Sequence, residues 1–343
     1  MNFAPWYQCT ETDENPILSS RIRLARNIAN FPFHGKLSDD SAHGVIELVD
    51  NSINKINQEI FDNHFIAQDL DAIERQVSLE KHILSPKYLD SHLPNNVYVD
   101  MSQNTSIMIN EEDHVRIQAV LPGANLAQAL AKASEVDNLL EHYLDFAFDA
   151  DLGYLTACPT NVGTGLRASF MVHLPCLEKT DMLKKLFPYI AKSGMTLRGI
   201  YGEGTISMGS IYQLSNQVTL GVNEAAIIKN LNRVAEYILK REEQTRDKMT
   251  EKRQNYVQDK AYRAYGTLAF ARTLDVKEAM SFLSDIRLGY LSGMLKLPRP
   301  EESIYQIMME IQAGHLHAAV GKVLDQYETD IARAIYLRSI FVA

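Results

Sequence analysis

Cysteine is scarce in this chain of 343 residues: Cys9, Cys158 and Cys176 are widely spaced and form no CxxC pattern. That argues against a disulfide framework and against a zinc site, so any special cysteine must act as a thiolate. Long apolar runs are missing too. No stretch approaches the roughly 20 residues of a membrane span, and the N-terminal MNFAPWYQCTETDENP has neither a basic nor an apolar leader region. A cytoplasmic protein without a membrane partner is expected. Positive charge is short: 34 Lys+Arg against 43 Asp+Glu give a net charge of −9. An acidic chain lacks the overall field that non-specific nucleic-acid binding uses, so nucleic acid is not an expected partner. Low-complexity tracts and fixed-period repeats are also absent.

What is present reads as one large body with a smaller second domain. Period-two alternation at Val97, Val99 and Met101, at Ile107 and Ile109, and at Val115, Ile117 and Ala119 marks strands. Two of them flank the polar turn Asn110-Glu111-Glu112-Asp113, which predicts a hairpin in an antiparallel or mixed sheet. Helical spacing runs from Leu126 to Leu144, after Pro122-Gly123, and again from Ile227 to Ile238. The second helix continues into residues 240–253, where ten of fourteen residues are charged. That segment reads as a solvated helix leaving the body, which puts the domain boundary between 1–240 and a mainly helical 241–343.

Neither a GxxxxGK[ST] loop nor the glycine-rich, HRD and DFG set of protein kinases occurs. Arginines instead recur in strand-like or glycine-flanked segments: Arg21 and Arg23 in SSRIRLARN, Arg116 in NEEDHVRIQ, Arg167 in CPTNVGTGLRAS and Arg198 in TLRGIYGEG. Each alone is an ordinary solvated or ion-paired residue. Converging on one cleft, their planar forks neutralise a polyphosphate without a P-loop. Period two puts Arg21 and Arg23 on one strand face and Leu18, Ile22 and Leu24 on the other; likewise Arg167, Ser169 and Met171 oppose Leu166, Ala168, Phe170 and Val172. Glu112, His114 and Arg116 share parity and project together if their strand extends into the turn; a polar hairpin tip is the plainer reading. Glu203 sits in a second glycine-flanked segment that also reads as a flexible loop. Cys158 precedes glycines that would free backbone amides for an anion, with arginines near enough to lower a thiol pKa; an isolated cysteine is more often inert core. His82, in LEKHILSP, is by itself an ordinary structural histidine.

SSRIRLARN, EKHxxSP, NEEDHxRIQ, CPTNVGTGLRAS and RGIYGEG, in this order, resemble the guanidino-kinase (phosphagen kinase) superfamily, and within it the bacterial protein arginine kinases. The likeness is strong over residues 15 to 225 and weaker in the tail. It implies an α+β fold, an antiparallel sheet flanked by helices followed by a helical domain associated with dimerisation. It implies ATP with Mg²⁺, the metal held mainly by phosphates and water. Arg21, Arg23, Arg116, Arg167 and Arg198 would bind phosphates and His82 would help hold the nucleotide. Ser19, Ser20, Ile22, Ala168, Ser169, Phe170, Met171, Gly199, Ile200, Tyr201 and Gly202 would complete the walls. Glu112 and Glu203 match the carboxylates that grip the guanidinium, and Cys158 matches the reactive thiolate.

The expected activity is ATP-dependent phosphorylation of protein arginines, marking substrates for Clp-type proteolysis or inactivating repressors, with a zinc-binding activator protein as a further partner. Kinases of free guanidines resemble one another in an all-helical domain ahead of the first arginine motif, and the 18 residues before Ser19 cannot form one. A kinase of a small free guanidine and a catalytically weak phosphoarginine-binding protein remain the alternatives. The related arginine kinases commonly carry RDxxRA in an allosteric phosphoarginine pocket. Here the segment is Thr329-Asp330-Ile331-Ala332-Arg333-Ala334. Asp330 and Arg333 could still grip phosphoarginine, or form an intrahelical ion pair.

Overall fold

The computed structural model describes residues 5–9, 15–56, 61, 63–200, 207–299 and 301–342. Strand β1 (Ile17–Arg26) opens the body, followed by α1 (Asp39–Lys55), β2 (Asn63–Phe65), α2 (Ala72–Glu80) and α3 (Pro86–Leu89). Strands β3 (Asn96–Val99), β4 (Thr105–Ile109) and β5 (Val115–Pro122) lead to α4 (Leu126–Glu141). A small hairpin, β6 (Phe148–Asp149) with β7 (Gly153–Tyr154), precedes β8 (Leu166–His173), α5 (Pro175–Lys179), α6 (Met182–Lys192), β9 (Met195–Gly199) and β10 (Ile211–Asn216). Helices α7 (Glu224–Phe270), α8 (Val276–Leu291), α9 (Ile304–Glu310), α10 (Ala313–Val320) and α11 (Gln326–Phe341) complete the chain.

Eight strands form one antiparallel sheet in the order β2-β3-β4-β5-β1-β8-β10-β9. The expected hairpin is β4–β5. Strand β3 stops at Val99 rather than at Met101, because Asp100 turns the chain by accepting the amides of Asn104 and Thr105. One sheet face buries Ile22, Leu24, Ile117, Ala168 and Phe170 against α1, α4, α6 and the first half of α7. The other face carries the arginines, and only part of it is covered: Val120, Met171 and Ile211 pack beneath α8 and α9 in a second core. What α8 and α9 leave uncovered is the opening to the site.

Two local expectations are corrected. A register shift between Ile17 and Ser19 sends Ile17 into the first core with Ile22 and Leu24, so Leu18 joins the second core on the arginine side. Residues 240–253 continue α7 without interruption, and the helix departs from helical geometry only at Arg253. The segment is not wholly solvated: Glu242 is buried, and its carboxylate accepts the amides of Cys176 and Leu177 at 2.8 Å each. Burial is the larger effect there and pushes Glu242 up to about 7.

Candidate active site

Antiparallel register assembles the arginines. Arg23 lies directly opposite Arg167 across β1–β8, Ala25 opposite Arg116 across β1–β5, and Gln213 opposite Arg198 across β10–β9. Arg21, Arg23, Arg116, Arg167 and Arg198 all line one cleft of ≈440 Å³, together with Glu111, Glu112, Asp113 and Cys158. Like charges opposed across a ladder cost stability. Burial, then the charges of Arg21, Arg116 and Arg167, lower the Arg23 pKa; burial, then Arg198 and Arg116, lower that of Arg167. Arg21 donates to Gln213 at 2.9 Å and Arg167 to Ser215 at 3.3 Å. The buried Nε atoms of Arg23 and Arg167 have no hydrogen-bond partner among the described residues. Buried donors without acceptors, on guanidinium groups that repel one another, are the signature of a polyanion site.

The turn after β4 departs from the parity argument. Asn110 has φ 61°, its amide donates to the His114 carbonyl and Glu111 N donates to Asp113 O, so β5 begins only at Val115. His114 turns into the core, where its Nδ1 accepts Ile28 N at 3.0 Å. It does not project beside Arg116. Glu111, not Glu112, pairs with Arg116 at 2.6 Å, and it also accepts Ser85 Oγ at 2.5 Å and the Glu112 amide at 2.8 Å. Burial opposes ionisation of Glu111, but Arg116 and these bonds hold its carboxyl below the ordinary value. Glu112 is left facing the cleft, held among the described residues by Lys87 at 3.2 Å.

Cys158 lies on the same cleft, with Sγ 3.0 Å from Thr160 Oγ1. Its loop is tied to the carboxylate turn by Asp113, which accepts Ala157 N at 2.6 Å and Asn27 Nδ2 at 2.7 Å. The glycines that follow do not free amides for an anion. Gly163 N, Thr164 N and Gly165 N donate to the carbonyls of Tyr154, Thr219 and Asn161. Their small size serves backbone packing: at Gly163 (φ +110°) a Cβ would stand 2.3 Å from Thr219 O, and at Gly165 (φ +62°) 2.6 Å from Ala25 O. The third arginine of SSRIRLARN, Arg26, is structural, in a buried ion pair with Asp137 at 2.6 Å.

A second cavity of ≈430 Å³ shares Arg21, Arg23 and Arg116 with the cleft and continues past His82, Leu84, Met108, Gln118 and Ile200 to Gln312 of the helical domain. Burial, then Arg21 and Arg23, push His82 down to about 3, so it is neutral at physiological pH. The one Trp of the chain, Trp6, stacks on it at 5.8 Å. Of the other expected wall residues, Ser20, Ile22, Ala168 and Phe170 point to the far face of the sheet; Ser20 Oγ accepts Asn125 N at 2.7 Å and donates to Gly123 O. Ser19, Ser169 and Met171 lie on the arginine side, where the Tyr305 hydroxyl seals Met171 beneath α9. Gly199 ends edge strand β9. Tyr201, Gly202 and Glu203 lie outside the described residues. Lys87, Glu111, Asp113, Gln118 and Gln312 were not singled out from the sequence, and only the doubled glutamate of NEEDH signalled one of them.

At the C-terminal segment the intrahelical pair is present, Arg333 to Asp330 at 2.6 Å. Arg333 is buried and also donates to Ile311 O and Leu274 O. Thr329 is buried too, donating to Asp325 O at 2.7 Å.

Residues 44–245 match the family model for the ATP:guanido phosphotransferase C-terminal catalytic domain, and residues 254–343 that for the protein-arginine kinase McsB C-terminal domain. The protein-arginine kinase of Caldanaerobacter subterraneus subsp. tengcongensis is 40% identical over 328 residues, 95% of this chain and 96% of that protein. The protein-arginine kinase of Geobacillus stearothermophilus is 39% identical over 335 residues, 97% and 92% of the two chains. In fold, the chain resembles the duplicated taurocyamine kinase from Schistosoma mansoni with bound transition-state-analogue components (TM-score 0.64, 23% identity, 79% of this chain and 41% of that one). It also resembles lombricine kinase (TM-score 0.60, 22% identity, 70% and 71%).

Proposed function

Because the chain belongs to the ATP:guanido phosphotransferase family, among its protein-arginine kinases, we propose that it transfers the γ-phosphoryl group of ATP to arginine side chains of protein substrates. The observation that carries this reading is a single cleft lined by five guanidinium groups, two of them with buried donors that have no partner among the described residues, and by Glu112 and Cys158. Protonated guanidinium is a poor nucleophile, so it must be oriented and relieved of a proton. Glu112 and Glu203 hold its N–H edges while Cys158 orients it electrostatically. As the N–P bond forms and the bond from phosphorus to the ADP oxygen breaks, the oxygen keeps the electron pair and one carboxylate takes the guanidinium proton. Arg21, Arg23, Arg116, Arg167 and Arg198 spread the charge moving off the phosphoryl group. His82, neutral and stacked on Trp6, walls the far end of the nucleotide.

Mg²⁺ would enter with the nucleotide, its oxygen ligands supplied mainly by phosphates and water. A homodimer is part of the same reading, supported by exposed Tyr262, Phe270, Val323 and Tyr327 on the helical domain. So are a Clp-type protease and a zinc-binding activator as partners. A phosphoarginine site at Asp330 and Arg333 would have to reopen their ion pair, so it is proposed as a weak one. The test is ATP consumption with a casein-like protein against free arginine, with phosphoarginine located by mass spectrometry that avoids acid. Efficient turnover of free arginine with protein arginines unmodified would establish the small-guanidine alternative instead.

A further inference from the structure

Three cavities of the molecule follow one another in a chemical order. The His82 cavity shares three arginines with the cleft, the cleft ends at the carboxylates, and beyond them a third, open groove of ≈610 Å³ begins. This groove shares Lys87, Glu111 and Glu112 with the cleft but none of its arginines. A nucleotide whose phosphates lie on the arginines extends toward His82. A guanidinium held at Glu112 therefore has its side chain, and whatever the side chain is attached to, directed at the other end.

We propose that the groove seats the extended polypeptide on either side of the target arginine, a proposal that rests on the protein-arginine kinase reading. Its walls come from the short 3-10 turn His34–Lys36 on one side and from the loop with Asp90 and His92 on the other. It is open to solvent along its length, and its volume exceeds what one side chain needs. A small free guanidine would leave it empty. Gly35 keeps one wall low: a Cβ there meets nothing within 4 Å, and its φ is not in the left-handed region. Lys87 is an exposed, weakly held stand-in at the threshold, 3.2 Å from Glu112, and the incoming guanidinium displaces it.

The experiment compares kcat/KM for a short peptide with one central arginine against Nα-acetylarginine amide, which carries the same side chain without flanking residues. Wild-type enzyme should favour the peptide by roughly tenfold, the equivalent of about 1.4 kcal/mol of added contact. Gly35→Trp, which fills the groove from one wall without backbone strain, and Asp90→Trp, from the other, should each bring the ratio toward one. The ratio between the two substrates reports the groove alone, since damage to the nucleotide site or to the fold scales both rates together. An unchanged ratio in both variants, or a wild-type ratio of one, overturns the proposal. A wild-type enzyme that phosphorylates neither these compounds nor protein arginines overturns the kinase reading itself.

Discussion

Arg23 should be a residue that the empty enzyme would be more stable without. It stands opposite Arg167 in the β1–β8 ladder, and Arg21 and Arg116 also depress its pKa. Opposed side chains in such a pair have Cβ atoms about 5 Å apart. Two guanidinium groups about 6 Å apart repel by about 3 kcal/mol at an effective dielectric of about 20. Counterions in an open cleft screen most of this, leaving about 1 kcal/mol. Arg23→Met keeps the aliphatic stem and removes the charge, so the ligand-free midpoint should rise by about 2 °C, the usual shift per kcal/mol for a chain of this size. The same change removes a charged hydrogen bond to phosphate, worth about 1.5–3 kcal/mol, so MgATP should bind between roughly tenfold and somewhat over a hundredfold more weakly. Scanning fluorimetry with and without nucleotide, at low and high salt, reads both effects, and calorimetry gives the affinity. Added salt should stabilise the wild type more than the variant. A variant that melts lower when empty yet keeps the full ATP-induced shift would refute the idea that this wall is strained by its own charge and relaxed by a polyanion.

Glu112→Gln should lower kcat by roughly a hundredfold or more, as loss of a general base does, with little change in ATP affinity, and Glu203→Gln and Cys158→Ser should lower turnover in the same sense. Glu111→Gln, which breaks the 2.6 Å pair with Arg116, should weaken ATP binding as well, like Arg116→Ala and Arg167→Ala; initial-rate kinetics separate the two classes. Gly163→Ala should destabilise by about 1–3 kcal/mol or more through its positive φ and the clash with Thr219 O, read by denaturant unfolding. Glu242, raised to about 7 when folded against an ordinary 4.5, binds its proton more tightly in the native state. Stability should therefore fall as pH rises from about 4.5 to about 7 and level off above, a change on the order of 3 kcal/mol. A wild-type minus Glu242→Gln difference that does not vary with pH would contradict it.

The arginine wall was legible because strand parity is a local property: alternation alone puts Arg21 with Arg23, and Arg167 with Ser169. It failed where a single residue of special conformation intervened. Positive φ at Asn110 and the short bonds of its turn rotate Glu111 onto Arg116 and His114 into the core, and nothing in a run of polar residues says which of two adjacent glutamates will be spent on structure. The glycines of CPTNVGTGLRAS misled for a related reason. Close approach to an anion and close approach of two backbones require the same missing Cβ, and only the neighbour, Thr219 or Ala25, distinguishes them.

Long-range burial decided the rest. Ser20, Ile22, Ala168 and Phe170 are interleaved with the cleft-lining arginines in sequence, yet in a pleated sheet adjacency along a strand is separation across it. Arg333 makes the same point in a helix. Its spacing from Asp330 predicts the ion pair that forms, but whether the guanidinium faces a ligand or the interior depends on Ile311 and Leu274, whose carbonyls lie 22 and 59 residues away. A buried arginine held by two carbonyls and one carboxylate has most of its donors satisfied, so there is little left to reward a phosphate for entering. Arg23 and Arg167 are the reverse case, with buried donors that no neighbouring acceptor meets. The accounting of N–H groups, more than the presence of arginine, separates the wall that awaits a ligand from the buttress that does not.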